Sequence, residues 1–378
     1  MNEIMQYLQD IEITEEKRQK GKIKHRLSEV LMLVLFAMLA NAEYWEEMEE
    51  FGHYHEALLC QYLPFENGIP SHDTIQRVMG MIDPTITSQL STIWKDLVET
   101  EEENKLYKLL AIDGKTIKGN RSDTQKAAHI ITCYHVMSQT CLAQLMVHEK
   151  TNEITAVPQL LNLLRIEGFT ITADAMSTQV EIVKKIRKKK GNYLLAVKEN
   201  QGTLYEDIKT YFDDPKLQKT LKDEEHHKET IEGAHSQVET RKYYQSTEVT
   251  WLTKNHPKRW KDLNSIAMVE TSCERKDGAV SIERRYYISS LLLDIDYVSA
   301  CIRGHWKIES MHWELDVVFD EDANKTMNQV AAQNLNNMRK LCLSILKRWK
   351  IGKRMSGRRK RFQLSMGFPK YIEELFSL

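Results

Sequence analysis

Two aspartates of this chain stand in the same local setting. In "LLAIDGKTIKGN", residues 109–120, four apolar residues (Leu109, Leu110, Ala111 and Ile112) run straight into Asp113, and in "TITADAM" a short apolar stretch ends on Asp174. Each run reads as a buried strand with a carboxylate at its exit, where an ionised acid without a partner is costly and calls for a cation. A third acid, Glu309, lies within the helical run "IRGHWKIESMHWE". Three carboxylates from two strands and a helix can converge on a pair of hard divalent cations. Mg²⁺ suits such a site because it prefers oxygen ligands and keeps waters that substrate phosphates can replace. Two such metals activate an attacking water or 3′-hydroxyl and neutralise the leaving oxygen of a phosphodiester, with no covalent intermediate on the enzyme. The chain has 54 Asp and Glu, so spacing alone does not single out these three, and a strand-end aspartate is more often a turn or cap residue.

Other groupings compete for the same side chains. His305, Glu309, His312 and Asp316 share one face at helical spacing, and Glu314 and Asp316 rival Glu309 as a third ligand. Glu309-x-x-His312 is also the spacing of di-iron carboxylate bundles, repeated at Glu50/His53, Glu224/His227 and Glu232/His235. That architecture needs four long inward-facing helices, and the strands around Asp113 and Asp174 argue against it. The H-E-x-x-H order of zinc proteases is absent.

The elements that must position these residues follow from periodicity. Residues 1–104 read as an all-helical domain: Ser28 is a candidate cap before the apolar run "LMLVLFAMLA", and Ser71 a candidate cap in "GIPSHDTIQRVMGMIDP". The polar "ETEEENK", Glu99 to Lys105, marks a boundary. After it come three closely spaced strand-like runs, 107–117, 129–138 and 141–149, then a helix ending at Gly168, the strand "TITADA", a helix closed by Gly191, and the strand "NYLLAVK". The order βββαβαβ describes a mixed sheet with three consecutive antiparallel strands followed by helix-linked ones, the wiring of a ribonuclease H-like core. The first part of that core is 105–202. The polar stretch 203–282 reads as a β-rich insertion of short strands and loops. Residues 283–350 resume the core with the glutamate helix, and 351–378 form a basic C-terminal tail.

At 378 residues the chain has room for two or three domains. Its longest apolar run is too short to span a bilayer, and its opening is polar and acidic rather than a charged-then-apolar leader, so a cytoplasmic protein with no membrane partner is expected. Six cysteines without a C-x-x-C pair fit free thiols. The net charge of −1 says little about partners, but its distribution says more. "KRWKIGKRMSGRRKR", 347–361, holds nine Lys or Arg and no acid, and "KKIRKKK", 184–190, holds six. Such runs are most often solvated faces, but two of them raise the prospect of a polyanion partner.

"AIDGKTIKG", "TADAM", "YLLAVKENQ", "RRYYISSL" and "RGHWKIESMHWELDVVFDED" together resemble a bacterial insertion-sequence transposase of the DDE class, in its H-repeat-associated branch, and "GIPSHDTIQRVM" resembles the small helical domain that precedes the catalytic core there. The resemblance runs collinearly over roughly residues 10 to 350. It implies Asp113, Asp174 and Glu309 as the catalytic, metal-binding triad for two Mg²⁺ ions, with Mn²⁺ able to substitute. It also implies cleavage at transposon ends, 3′-hydroxyl strand transfer into target DNA, and a homodimer on inverted-repeat DNA. Lys115, Lys198, Asn200, Gln201, Arg303 and His305 are the candidate DNA contacts, with base readout expected in the N-terminal helices. Some related transposases place Arg four residues before the glutamate and Lys seven after it, where this chain has His305 and Asp316. A DNA-binding remnant acting as a repressor and a purely hydrolytic nuclease are the alternative readings.

Overall fold

The computed structural model describes residues 2–14, 18–98, 108–121, 127–147, 153–234, 237–256, 259–351 and 355–376. The boundary expected at Glu99 to Lys105 lies outside them, as do His235 of the Glu232/His235 pair and residues 352–354 of the basic tail.

The chain opens with α1 (Asn2–Thr14), α2 (Leu27–Leu39), α3 (Trp45–Tyr54), α4 (Glu56–Leu59), α5 (His72–Met79) and α6 (Pro84–Val98). The apolar run becomes α2, and every residue of it is buried. Its cap position is Arg26 rather than Ser28. The Arg26 amide is taken by the Glu29 carboxylate at 2.9 Å, while the other Glu29 oxygen accepts from the Phe65 amide at 2.8 Å. Ser71 does precede α5.

Next come β1 (Leu109–Ile117), β2 (Ala128–His135), β3 (Thr140–Val147), α7 (Glu153–Asn162), β4 (Thr170–Ala173), α8 (Val180–Lys188) and β5 (Asn192–Val197). The antiparallel β1–β2–β3 run and the helix-linked β4 and β5 take the expected order. β1 pairs antiparallel with β2 and parallel with β4, and β4 pairs parallel with β5.

The following segment departs from expectation. It contains α9 (Gly202–Phe212), α10 (Pro215–Asp223), β6 (His227–Ala234), β7 (Gln237–Ser246), α11 (Thr250–Asn255), β8 (Ser265–Arg275) and β9 (Val280–Ser289). The strands are long, not short, and they are not a separate body. β9 pairs antiparallel with β5 and carries β8, β7 and β6 beyond it, giving one nine-stranded sheet of order β3-β2-β1-β4-β5-β9-β8-β7-β6. Their outer halves are exposed and rich in charge, although Ile231, Val238, Val280 and Ile282 are exposed there too, which is why composition reads as a loop-rich insertion. Their inner halves are buried on both faces, with Tyr243, Tyr244, Met268, Tyr286 and Ile288 in the core.

α12 (Ile295–Phe319), α13 (Gln329–Arg348) and α14 (Gly357–Leu375) close the chain. The sheet is covered on both faces. On one face lie α7 to α11, packed on Leu110, Ile112, Ile171, Tyr193 and Leu195; on the other, Leu109, Ala111, Tyr134 and Leu194 share a core with α12, α13, α14 and the N-terminal helices. The N-terminal helices are therefore not an independent unit. The Trp94 indole donates to the Ser344 hydroxyl at 3.1 Å, and the Asn334 amide donates to the Met79 carbonyl at 2.8 Å.

The basic tail also differs from its expectation. Residues 357–375 form a helix whose Leu364, Phe368 and Ile372 enter the shared core. Arg361 is fully buried against Glu43 at 2.5 Å and the Met38 carbonyl at 2.7 Å. Lys360 donates to the Leu346 and Trp349 carbonyls, both at 2.6 Å, acceptors at the C-terminal end of α13 that the helix itself leaves unpaired.

Candidate active site

Period-2 alternation decides where Asp113 points. Leu110 and Ile112 face one core, Leu109 and Ala111 the other, so Asp113 continues the second set, toward α12. β4 repeats the pattern, with Thr170 and Thr172 on the α12 face and Asp174 following in step. Ile112 is the register partner of Ala173. Asp113 and Asp174 are thus successive to a paired position on two parallel neighbours, which places their backbones side by side.

α12 supplies the third acid. Its first turn is capped by Asp294, which accepts from the Tyr297 amide at 3.0 Å, and it ends at Asp320 in left-handed backbone. The helix is tied along β4: the Tyr297 hydroxyl donates to Thr170 at 2.9 Å, and His305 Nδ1 lies 3.0 Å from the Thr172 hydroxyl. Gly304 lets it come close. A Cβ there would sit 2.6 Å from Leu109 Cδ2. One turn past His305, Glu309 reaches the same neighbourhood.

A cavity of about 540 Å³ opens there, lined among others by Asp174, Lys198, Arg285, Trp306 and Glu309. Partial burial raises the Glu309 pKa from its ordinary value, and the negative charges of Asp113 and Asp174 push the same way. Arg285 and Lys198 oppose them. Burial works against ionisation of Asp113 too, yet His312, His305 and the Gly114 amide outweigh it and hold its pKa below the usual range. His312 Nδ1 is 3.3 Å from Asp113 Oδ2. Asp174 is also a cap, as a strand-end aspartate often is: its carboxylate accepts from the Met176 amide at the start of a 3-10 turn over Ala175–Ser177.

The three acids share one electrostatic neighbourhood without being drawn to a point. Among the described residues, no three His, Cys, Asp or Glu side chains are already gathered to metal-ligand distance. This includes the competing Glu/His spacings. Glu50 and His53 lie on α3, and His227 and Glu232 on the strand β6.

The candidate DNA contacts divide. Lys198 is exposed on the cavity wall. Lys115 is not available to a phosphate, because its ammonium is held by Asp316 and Glu321, each at 2.5 Å, and by the His312 carbonyl at 3.2 Å. Asn200 lines the cavity but donates to the Ala175 carbonyl at 2.7 Å, and the buried Gln201 donates to the Thr178 carbonyl at 2.8 Å; both brace the turn that carries Asp174. Arg303 pairs with Glu232 at 3.1 Å. His305 is engaged by Thr172, and burial lowers its pKa, as for a neutral histidine inside a fold. Sequence reasoning missed two residues. His312 stood only in a rival grouping, although its place three residues after Glu309 puts it on the same face. Arg285 lies inside "RRYYISSL", a motif noted without assigning it a role.

The basic run on α8 is partly engaged. Arg187 pairs with Asp262 at 2.8 Å and Lys189 donates to the Leu161 and Leu164 carbonyls at the end of α7, while Lys190 and Lys184 meet Glu167 and Glu181 at 2.9 and 2.8 Å in exposed pairs that exchange readily.

Residues 6–95 match the DDE_Tnp_1-associated family model and residues 104–345 the Transposase DDE domain, and the chain belongs to this family of DDE-domain transposases. Within it, the chain is 35% identical over 361 residues to "H repeat-associated putative transposase YhhI" of Escherichia coli K12, covering 93% of each chain. It is also 35% identical over 379 residues to "Putative transposase YncI" of Escherichia coli O157:H7, covering 99% of this chain and 95% of that one. A shorter relative, "Inactive transposase YbfQ" of Escherichia coli K12, is 47% identical over 78 residues, 21% of this chain and 93% of its own. Among the described residues, no helix is long and apolar enough to cross a membrane.

Proposed function

We propose that this protein is a DNA transposase that cleaves at transposon ends and joins the freed 3′-hydroxyls to target DNA, with Asp113, Asp174 and Glu309 as its catalytic acids on a ribonuclease H-like core. The observation that carries the reading is the register of β1 and β4, which sets Asp113 and Asp174 side by side on the face where α12 delivers Glu309.

The donor set fits a divalent cation. All three groups are carboxylates, the oxygen ligands that Mg²⁺ or Mn²⁺ prefers, and Glu309 is disfavoured as an anion by the two aspartates, a repulsion that a bound cation relieves. Two bound Mg²⁺ ions would supply activation of the attacking oxygen and neutralisation of the leaving one. The remaining work belongs to the chain itself. His312 orients Asp113, Asn200 and Gln201 hold the Asp174 turn, and Lys198 offers the cavity a cation for the DNA backbone. Inverted-repeat and target DNA are the partners of this reading, and pairing two ends calls for a homodimer on DNA.

The N-terminal helices remain the place for base readout. Because they share a core with α12 to α14, removing residues 1–100 would strip packing from the catalytic face, so the point variants below are the cleaner test.

Purified protein with Mg²⁺ should nick end DNA, and Asp113→Ala, Asp174→Ala and Glu309→Ala should each lose at least about 10³-fold in rate. Equal activity in all four proteins would remove the site assignment. Specific binding without nicking by wild type would favour the silent repressor, a reading to which a relative named inactive gives some weight. Nicking without joining would favour the nuclease.

A further inference from the structure

Resting on that reading, we infer that Arg285 is the residue that clamps the scissile phosphate, held in place by Trp306 and parked on Glu283 until DNA arrives.

The two positions of α12 that flank Glu309 at helical spacing carry no free cation: His305, one turn before it, is bonded to Thr172, and Asp316, seven residues after it, holds Lys115. Lys307, two residues before Glu309, lies on another face of the helix, where its charged neighbours are Lys347 and Arg303. The positive charges that act on Glu309 come instead from the sheet: Arg285 on β9 and Lys198 just past β5. β5 ends at Val197, opposite Tyr286, so β9 runs on past it and carries Arg285 to the cavity mouth.

Arg284 and Arg285 are neighbours with opposite fates. Arg284 is fully engaged: Nε and Nη2 meet Glu270 at 2.8 and 2.7 Å, and Nη1 meets Asp213 at 2.7 Å. Arg285 has a looser hold. Among the described residues its Nε and Nη2 reach only Glu283, at 2.8 and 3.3 Å, an exposed carboxylate two residues away on its own strand. An exposed pair of this kind is weak and readily exchanged. The guanidinium plane is fixed separately, 4.3 Å over the Trp306 ring, and Trp306 sits one turn before Glu309 on the same helix. The cation is thereby held in register with the carboxylate by packing, while its hydrogen-bonding edge stays exchangeable. A planar fork of donors matches two phosphate oxygens, which a lysine there would not.

The test has two arms, both with full-length protein. In the first, end nicking is timed for wild type, Arg285→Gln, Arg285→Lys and Glu283→Gln. Arg285→Gln should lower the rate constant roughly 10²-fold, the scale of losing one donor aimed at transition-state charge, with Arg285→Lys between it and wild type and Glu283→Gln no slower than wild type. In the second, binding without metal is measured for end DNA carrying either the natural diester or a neutral methylphosphonate at the scissile position. Wild type should lose roughly 10-fold in affinity on neutralisation, and Arg285→Gln almost nothing. Nicking reduced less than about 3-fold in Arg285→Gln, or an equal penalty from the neutral linkage in both proteins, would overturn the assignment. If wild type does not nick at all, the transposase reading falls, and the binding arm still decides whether Arg285 reads that phosphate.

Discussion

The two sides of Glu309 treat charge in opposite ways. Toward Asp113 the charged groups are already satisfied inside the fold: Lys115 by Asp316 and Glu321, Asp113 by His312, and the buried Lys340 by the neutral Thr132 hydroxyl and Gln144 amide oxygen at 2.7 and 2.6 Å. Toward Asp174 they face a cavity, with Lys198 exposed and Arg285 held only by a carboxylate in solvent. The first side is built to fix geometry, the second to exchange partners. Only the second can receive a polyanion without first breaking a buried pair, whose loss leaves an uncompensated charge.

The largest effect should come from breaking the closed side. Glu321 is fully buried, Lys115 partly so, and Asp316 faces solvent with a third of its side chain. Lys115→Met removes the cation from the buried Glu321, leaving it the Asn336 amide, and should cost about 3–5 kcal/mol in urea or thermal unfolding. Burial pulls the Lys115 pKa down, but Glu321 and Asp316 outweigh it and leave it above the ordinary lysine value. A raised folded pKa gives stability that is complete below the unfolded value and lost as pH rises through the folded one. The gap between wild type and Lys115→Met should therefore stay level through neutral pH and narrow only in strongly alkaline solution. A gap that instead widens there would show that Lys115 is not held as a cation.

A smaller effect tests the hinge between the sides. Gly304→Ala drives a methyl into Leu109, and overpacking of this kind costs about 1–3 kcal/mol. Because the same contact sets α12 on β1, nicking measured well below the melting temperature should fall along with stability. Unchanged nicking would mean that α12 seats correctly without the close approach.

The smallest effect concerns the open side. Lys198→Ala should lower the slope of log affinity against log salt by about 1, the loss of one phosphate contact. Lys189→Met, which removes a cation already bonded to backbone carbonyls, should leave that slope unchanged and read out in stability instead. Equal slopes for Lys198→Ala and wild type would place the DNA path elsewhere.

Much of this organisation is legible in the sequence itself. Apolar runs ending on Asp113 and Asp174 needed only period-2 reading, and the order β1 to β5 followed from where helical spacing interrupts strand spacing. Three things were not legible. The strands 227–289 are buried only at their short inner ends and charged and exposed beyond them, so composition hid a sheet extension. The basic runs looked like DNA-binding surface because a sequence does not show which lysines cap helix ends; Lys189, Lys360 and Arg361 do that work. Arg285 could not be told from Arg284, since adjacent strand residues face opposite sides and only tertiary structure says which side holds the acids.

The central claim is that Asp113, Asp174 and Glu309, far apart in the chain, act as one cation site. Loading the protein with Fe²⁺ in place of Mg²⁺ and adding ascorbate and peroxide cuts the backbone wherever the ion sits. The account predicts three groups of cuts, around 113, 174 and 309, all lost together in Asp174→Asn. Cuts confined to one of these segments, or unchanged in that variant, would contradict it.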